Sequence, residues 1–117
     1  MNKNIQTFIS CDCEYEQSGI VLFGAPFDGT TSFRPGTRFA PSAIRNDSFG
    51  IETYSPYQNR DLTEMKVCDI GDLELPYGNT QRVLSIIENT TNDILNKSKT
   101  PVMIGGEHLV SISLVVF

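Results

Sequence analysis

The chain has 117 residues, 39% of them hydrophobic, enough for one small domain or part of one, since domains commonly run to roughly 100–150 residues. Its 9 basic and 14 acidic residues leave a net charge of −5, which offers phosphate backbones no broad attractive field and argues against nucleic acid as a partner. The longest apolar runs, Ile20–Phe23 and Leu114–Phe117, fall far short of the roughly 20 residues that cross a bilayer, so no membrane span is expected.

Residues 1–18 read as a polar arm. It lacks the basic start and apolar run of a secretory signal, which points to a cytoplasmic protein. Cys11, Cys13 and Cys68 form an odd, sparse set that suits reduced thiols better than a disulfide framework. Cys11-Asp12-Cys13 has the ligand types of a soft-metal site, yet no second cysteine or histidine pair completes four ligands, so small side chains in a polar arm is the preferred reading.

From residue 19 to 117 the pattern is the start of an α/β core. Gly19–Gly24 is a short apolar run closed by glycine, as expected of a strand buried on both faces. Ala25–Ala40, rich in Gly, Pro, Thr and Arg, excludes regular structure through most of its length. Pro41–Arg45 then opens a helix, proline being tolerated in the first turn. Ser55–Glu64 is a loop, and Lys66–Gly71 a second strand ending in an acidic turn. Across Gln81–Asn96 the apolar positions Val83, Leu84, Ile87, Ile94 and Leu95 recur at helical spacing, with Asn79 or Thr80 available as the cap. Pro101–Gly105 is a third apolar strand, and a further helix begins at Glu107. This alternation is that of a parallel α/β sheet with right-handed crossovers. The apolar ending Ser111–Phe117 carries no helix-stop signal, so the chain reads as a single domain truncated to its N-terminal part.

Three motifs bear on chemistry. Gly24–Thr31 imitates the phosphate-cradling pattern G-x-x-x-x-G-K-[ST], but Thr30 stands at the lysine position, Pro26 removes a donor and Asp28 adds a negative charge. Asp69-Ile-Gly-Asp72-Leu-Glu74 offers carboxylates at a strand end, either for a metal or cationic substrate or for capping local backbone donors. Gly105-Gly106-Glu107-His108 lies where open α/β sheets gather their ligands. The double glycine permits a sharp turn, and Glu107 in the first helical turn disfavours an anion and favours a cation. His108 is the single histidine of the chain. A lone histidine is more often a hydrogen-bonded structural side chain than a ligand, and a divalent ion needs about six ligands, so the rest must come from elsewhere.

Together these pieces resemble the ureohydrolase superfamily, in its agmatinase branch. The stretch Gly24–Arg45 carries the resemblance, and Asp69-Ile-Gly-Asp72 and Gly105-Gly-Glu-His108 follow in the family's order. Arg34-Pro35-Gly36 and Glu107 favour agmatinase over arginase. The resemblance implies a three-layer α/β/α fold, homotrimers or homohexamers, and two manganese ions at the C-terminal edge of the sheet. It matches His108 to the family's first metal histidine. It also implies that a hydroxide bridging the two Mn2+ ions attacks the guanidino carbon of agmatine, releasing urea and putrescine. The family's remaining ligands lie in an Asp-Ala-His-x-Asp motif and an Asp-x-Asp motif that these 117 residues do not contain. A chain with one ligand is therefore expected to be inactive alone. The alternatives are another ureohydrolase specificity, for guanidinobutyrate, formiminoglutamate or arginine, or a non-catalytic remnant.

Overall fold

The structure, a computed structural model, describes residues 6–29 and 36–112. Three strands form a parallel sheet: β1 (Ile20–Ala25) in the centre, β4 (Val67–Asp72) on one side and β5 (Thr100–Gly105) on the other. β1 takes the centre because all but its first residue are buried, Val21, Phe23 and Ala25 completely. Its pattern fits a strand covered on both faces. Each strand begins or ends within a residue or two of its expected position.

Two helices sandwich this sheet. α2 (Thr80–Asn96) is capped by Asn79, whose side chain accepts from the Arg82 N–H at 3.0 Å. Its buried stripe of Val83, Ile87 and Ile94 packs beneath Val21, Phe23 and Ala25. Burying three such side chains stabilises the pairing of helix and sheet by roughly 1.5–3 kcal/mol each. α1 (Ala40–Ser48), with Pro41 in its first turn, lies on the opposite face, where Ile44 approaches Ile20 and Leu22. No helix among the described residues is long and apolar enough to cross a membrane.

The structure adds local detail to three of these readings. The polar arm is docked: Cys13 N–H donates to Val67 O at 3.1 Å and Asp69 N–H to Cys11 O at 2.9 Å, so Cys11–Cys13 runs antiparallel along the outer edge of β4. Phe8 and Cys11, though set among polar neighbours, join Leu22 and Val67 in the core. The loop expected at Ser55–Glu64 includes β3 (Arg60–Asp61), which pairs with β2 (Tyr54–Ser55) in a short antiparallel hairpin. Strands of two residues are too short to show alternation. The helix expected from Glu107 starts as a 3-10 turn at His108–Val110, with Glu107 one residue before it, extended at φ −80° and ψ 167°. Most of Ser111–Phe117 lies outside the described residues.

The cysteines show what the docked segment does. Burial, then the nearby charges of Asp69 and Asp12, push the Cys11 thiol up to about 11, and burial also raises Cys68. Only Cys13 is partly open, and none of the three is in a disulfide. At pH 8 the Cys11 thiol outnumbers its thiolate on the order of a thousandfold, and the thiolate is the reactive form. Labelling the native chain with a thiol reagent at pH 8 is expected to show one fast group, Cys13, with Cys11 and Cys68 reacting only on unfolding. Three fast thiols would mean that residues 6–13 do not stay on β4.

On the face that α1 shares, Phe8, Ile20, Leu22, Ile44, Val102 and Ile104 border an open apolar groove of about 330 Å³. Val102 is 42% exposed, and among the described residues β5 has β1 on one side only.

Candidate functional site

The C-terminal ends of the three strands bring together the loop after β1, the bend closing β4 and the turn after β5. The first and third form one backbone unit. Gly106 N–H donates to Ala25 O at 3.0 Å and Glu107 N–H to Phe27 O at 2.9 Å, extending the pairing of β1 with β5 past the sheet. Gly106 lies so close to Phe27 that a Cβ there would fall 2.2 Å from Phe27 O and 2.9 Å from its C and N. That obstruction is backbone and cannot rotate away. Gly106→Ala is therefore expected to destabilise the chain by about 2–3 kcal/mol and to displace the turn carrying His108. Urea denaturation measures the first and the His108 imidazole resonances the second. A variant matching the parent in both would show that this approach is not tight.

His108 stands at the start of the 3-10 turn with its side chain exposed, and its carbonyl accepts from Ser111 Oγ at 2.7 Å. Glu107, beside it, is buried at 9% exposure. The turn thus presents the imidazole outward at the sheet's C-terminal edge.

In the loop after β1, Asp28 is the organising residue. Its carboxylate, 5% exposed, accepts from Gly36 N–H at 2.5 Å and from Arg38 Nη1 at 3.1 and 3.2 Å. Burial alone would raise the Asp28 carboxyl, but the hydrogen bonds from Gly36 and Arg38 outweigh it and hold it below its ordinary 3.8. Gly36 takes φ +143°, a conformation that favours glycine. In the described part of the loop, its own Asp28 carboxylate takes the Gly36 donor. Thr30–Pro35, including Arg34 and Pro35 of the signature, lie outside the described residues.

In the acidic turn, Asp69 and Asp72 are both engaged by Arg45. Asp69, 2% exposed, forms a two-pronged pair with Arg45 of α1: Nε to Oδ2 at 2.8 Å and Nη2 to Oδ1 at 3.0 Å. Its oxygens also accept from Phe8 N–H at 2.8 Å and Gly71 N–H at 2.9 Å. Asp72, 32% exposed, receives Arg45 Nη1. Burial pulls the Arg45 guanidinium down, but the hydrogen bonds and charges of the two aspartates more than reverse it, so it is held above its ordinary value. Gly71 at φ +86° and a bulge between Leu22 and Gly24 swing Asp72 over β1. There a Cβ on Gly24 would lie 2.0 Å from Asp72 Oδ1. Asp69 caps a local backbone donor, the Gly71 N–H, as one of the two readings expected, while Asp72 pairs instead with Arg45. Glu74 is exposed.

Sequence reasoning did not single out Arg45. The available signal was Asp69 itself, an acid inside an apolar strand that burial obliges to find a cationic partner.

Among the described residues no three or more of His, Cys, Asp and Glu gather to hold a metal ion. The donor set on this chain therefore does not make a manganese centre by itself. His108 is a single ligand type at a strand-end turn, and the carboxylates Asp28, Asp69 and Asp72 at the other two strand ends have cationic partners within the chain.

The arginase family profile matches residues 18–116. Agmatinase of Bacillus subtilis (strain 168) is 50% identical over 106 residues, which are 91% of this chain and 37% of that protein. N(1)-aminopropylagmatine ureohydrolase of Thermococcus kodakarensis is 34% identical over 97 residues, 81% of this chain and 34% of its own. Among solved structures, the agmatine ureohydrolase of Thermoplasma volcanium superposes with a TM-score of 0.89 at 31% identity, covering 95% of this chain and 38% of that one. The chain thus spans little more than a third of the length of these relatives.

Proposed function

This chain belongs to the arginase family, and we propose that it is the N-terminal part of an agmatinase-type hydrolase that cleaves the guanidino C–N bond of agmatine to give putrescine and urea. The observation that carries the reading is the 50% identity with an agmatinase over 91% of the chain. A stretch of that length includes the Gly24–Arg45 loop, and the arginase family match, residues 18–116, spans the Gly105–His108 turn as well. In this reading His108 is one ligand of a manganese centre whose other ligands lie on polypeptide that these 117 residues do not include. The chain's own contribution is positional: it holds an imidazole at the sheet edge on a turn hung from the β1 loop. Further copies of the chain are the expected assembly partners by family resemblance.

A second reading keeps the chemistry and lengthens the substrate, because an aminopropylagmatine hydrolase is also among the relatives. The test is urea release from agmatine and from N1-aminopropylagmatine with Mn2+ present. It is run on this chain alone and on a chimera joining it to the remaining part of the Bacillus subtilis agmatinase. The expected result is no turnover by the chain alone and agmatine hydrolysis by the chimera. A folded chimera that hydrolyses neither compound would overturn the proposal.

A further inference from the structure

The loop after β1 and the turn bearing His108 meet at one peptide group, and its other half belongs to Asp28. Phe27 O accepts Glu107 N–H at 2.9 Å. That oxygen is coplanar with the Asp28 nitrogen, since a peptide unit is planar. Anything that fixes the orientation of Asp28 therefore fixes the acceptor on which the His108 turn hangs. The Asp28 side chain is itself fixed, tied to Gly36 N–H at 2.5 Å and to the Arg38 guanidinium at 3.1 Å. Gly29, next along, folds back over the Phe27 ring, where a Cβ would lie 2.7 Å from Cζ. So Phe27 holds the turn, Asp28 holds the loop, and the two are consecutive.

We infer that Asp28 is a positioning residue for His108: by clamping Gly36 and Arg38 it locks the Phe27 peptide against which Gly106 and Glu107 seat the His108 turn. The inference rests on His108 being the side chain that the proposed function uses. Asp28 acts through the Phe27 main chain and Arg38 through Asp28.

The test is site-resolved amide hydrogen exchange on the 117-residue chain. Asp28→Ala is expected to speed exchange at Gly106 and Glu107 by about tenfold or more. Asp69 N–H, bonded to Cys11 O, and Thr100 N–H, bonded to Gly19 O, serve as remote controls and should stay within about twofold. Asp28→Asn, which keeps an oxygen acceptor for Gly36, should recover most of the protection. Because the chain has a single histidine, its ring resonances report directly on His108. They are expected to broaden or split in Asp28→Ala and to return in Asp28→Asn. If Asp28→Ala does not fold, Arg38→Gln, at a 36% exposed side chain, decides on the same four amides with a smaller change in the same direction. Unchanged exchange at Gly106 and Glu107 in a folded variant, or equal acceleration at all four amides, overturns the inference. None of these readouts involves a metal or turnover, so failure of the clamp and failure of the agmatinase reading are separately visible.

Discussion

Asp69→Ala is expected to remove about 3–5 kcal/mol of folding stability, the usual cost of stranding one partner of a buried ion pair. Small domains hold about 5–15 kcal/mol in total, so the loss takes a large share of what keeps this chain folded. Arg45, 3% exposed, would lose its two-pronged acceptor and keep only the Asp72 contact at its outer nitrogen. Phe8 N–H and Gly71 N–H would lose theirs as well. Three elements come loose together: the segment 6–13, α1 and the bulged end of β4. Replacing both partners, Arg45→Met with Asp69→Leu, should recover part of the loss, because no buried charge is then stranded, while the two orphaned backbone donors keep it below the parent. Asp72→Asn, at a pair open to solvent, should cost about 1 kcal/mol or less. Urea denaturation followed by circular dichroism gives all four values. Equal midpoints for the parent and Asp69→Ala would show that the pair does not join these elements.

In the chimera with the remaining part of the Bacillus subtilis agmatinase, His108→Ala is expected to lower manganese-dependent urea release by about a hundredfold or more. Loss even of a group that merely supports a metal ligand commonly costs 10–100-fold, and loss of the ligand itself costs at least as much. The exposed position of His108 makes the experiment clean. Removing its ring opens no core cavity, so the midpoint of unfolding should move by less than that of Gly106→Ala. Activity should also respond to added Mn2+ differently in the variant, with a higher concentration needed for half-maximal rate. Full activity at the parent's manganese requirement would exclude His108 from the centre.

Parts of this architecture were legible in the residue pattern and parts were not, for physical reasons. β1 and α2 stood out because burial leaves a pattern in them, a continuous apolar run in Val21–Phe23 and a stripe of Val83, Ile87 and Ile94 on the helix, and β5 stood out by its apolar run Val102–Ile104. The clamp at Asp28 and the pair of Arg45 with Asp69 left no period, because each joins residues separated by a connection, 10 and 24 positions apart. The docked segment 6–13 was read as polar because only Phe8 and Cys11 among its residues reach the core cluster, and two side chains in eight do not dominate composition. For His108, spacing alone gave no more than a cation-friendly turn. The metal role came from resemblance, and the structure adds the reason both glycines stand before it: Gly106 has no room for a side chain against Phe27, and a Cβ on Gly105 would meet Val110 at 3.0 Å.

The two margins of the parallel sheet differ. Cys11, Asp12 and Cys13 occupy the hydrogen-bonding row of β4, while the corresponding row of β5 has no strand beside it among the described residues, and the apolar groove adjoins it. Bare strand margins recruit other strands. Among the described residues the sheet is therefore blunted at the start of β4 and open at β5, so the flank nearest Val102 is where a further strand, from its own polypeptide or from a neighbour, is expected to join. The same asymmetry identifies where self-association would start in a concentrated solution of the chain, and a lysine at the 42% exposed Val102 is the substitution that would blunt the second margin too.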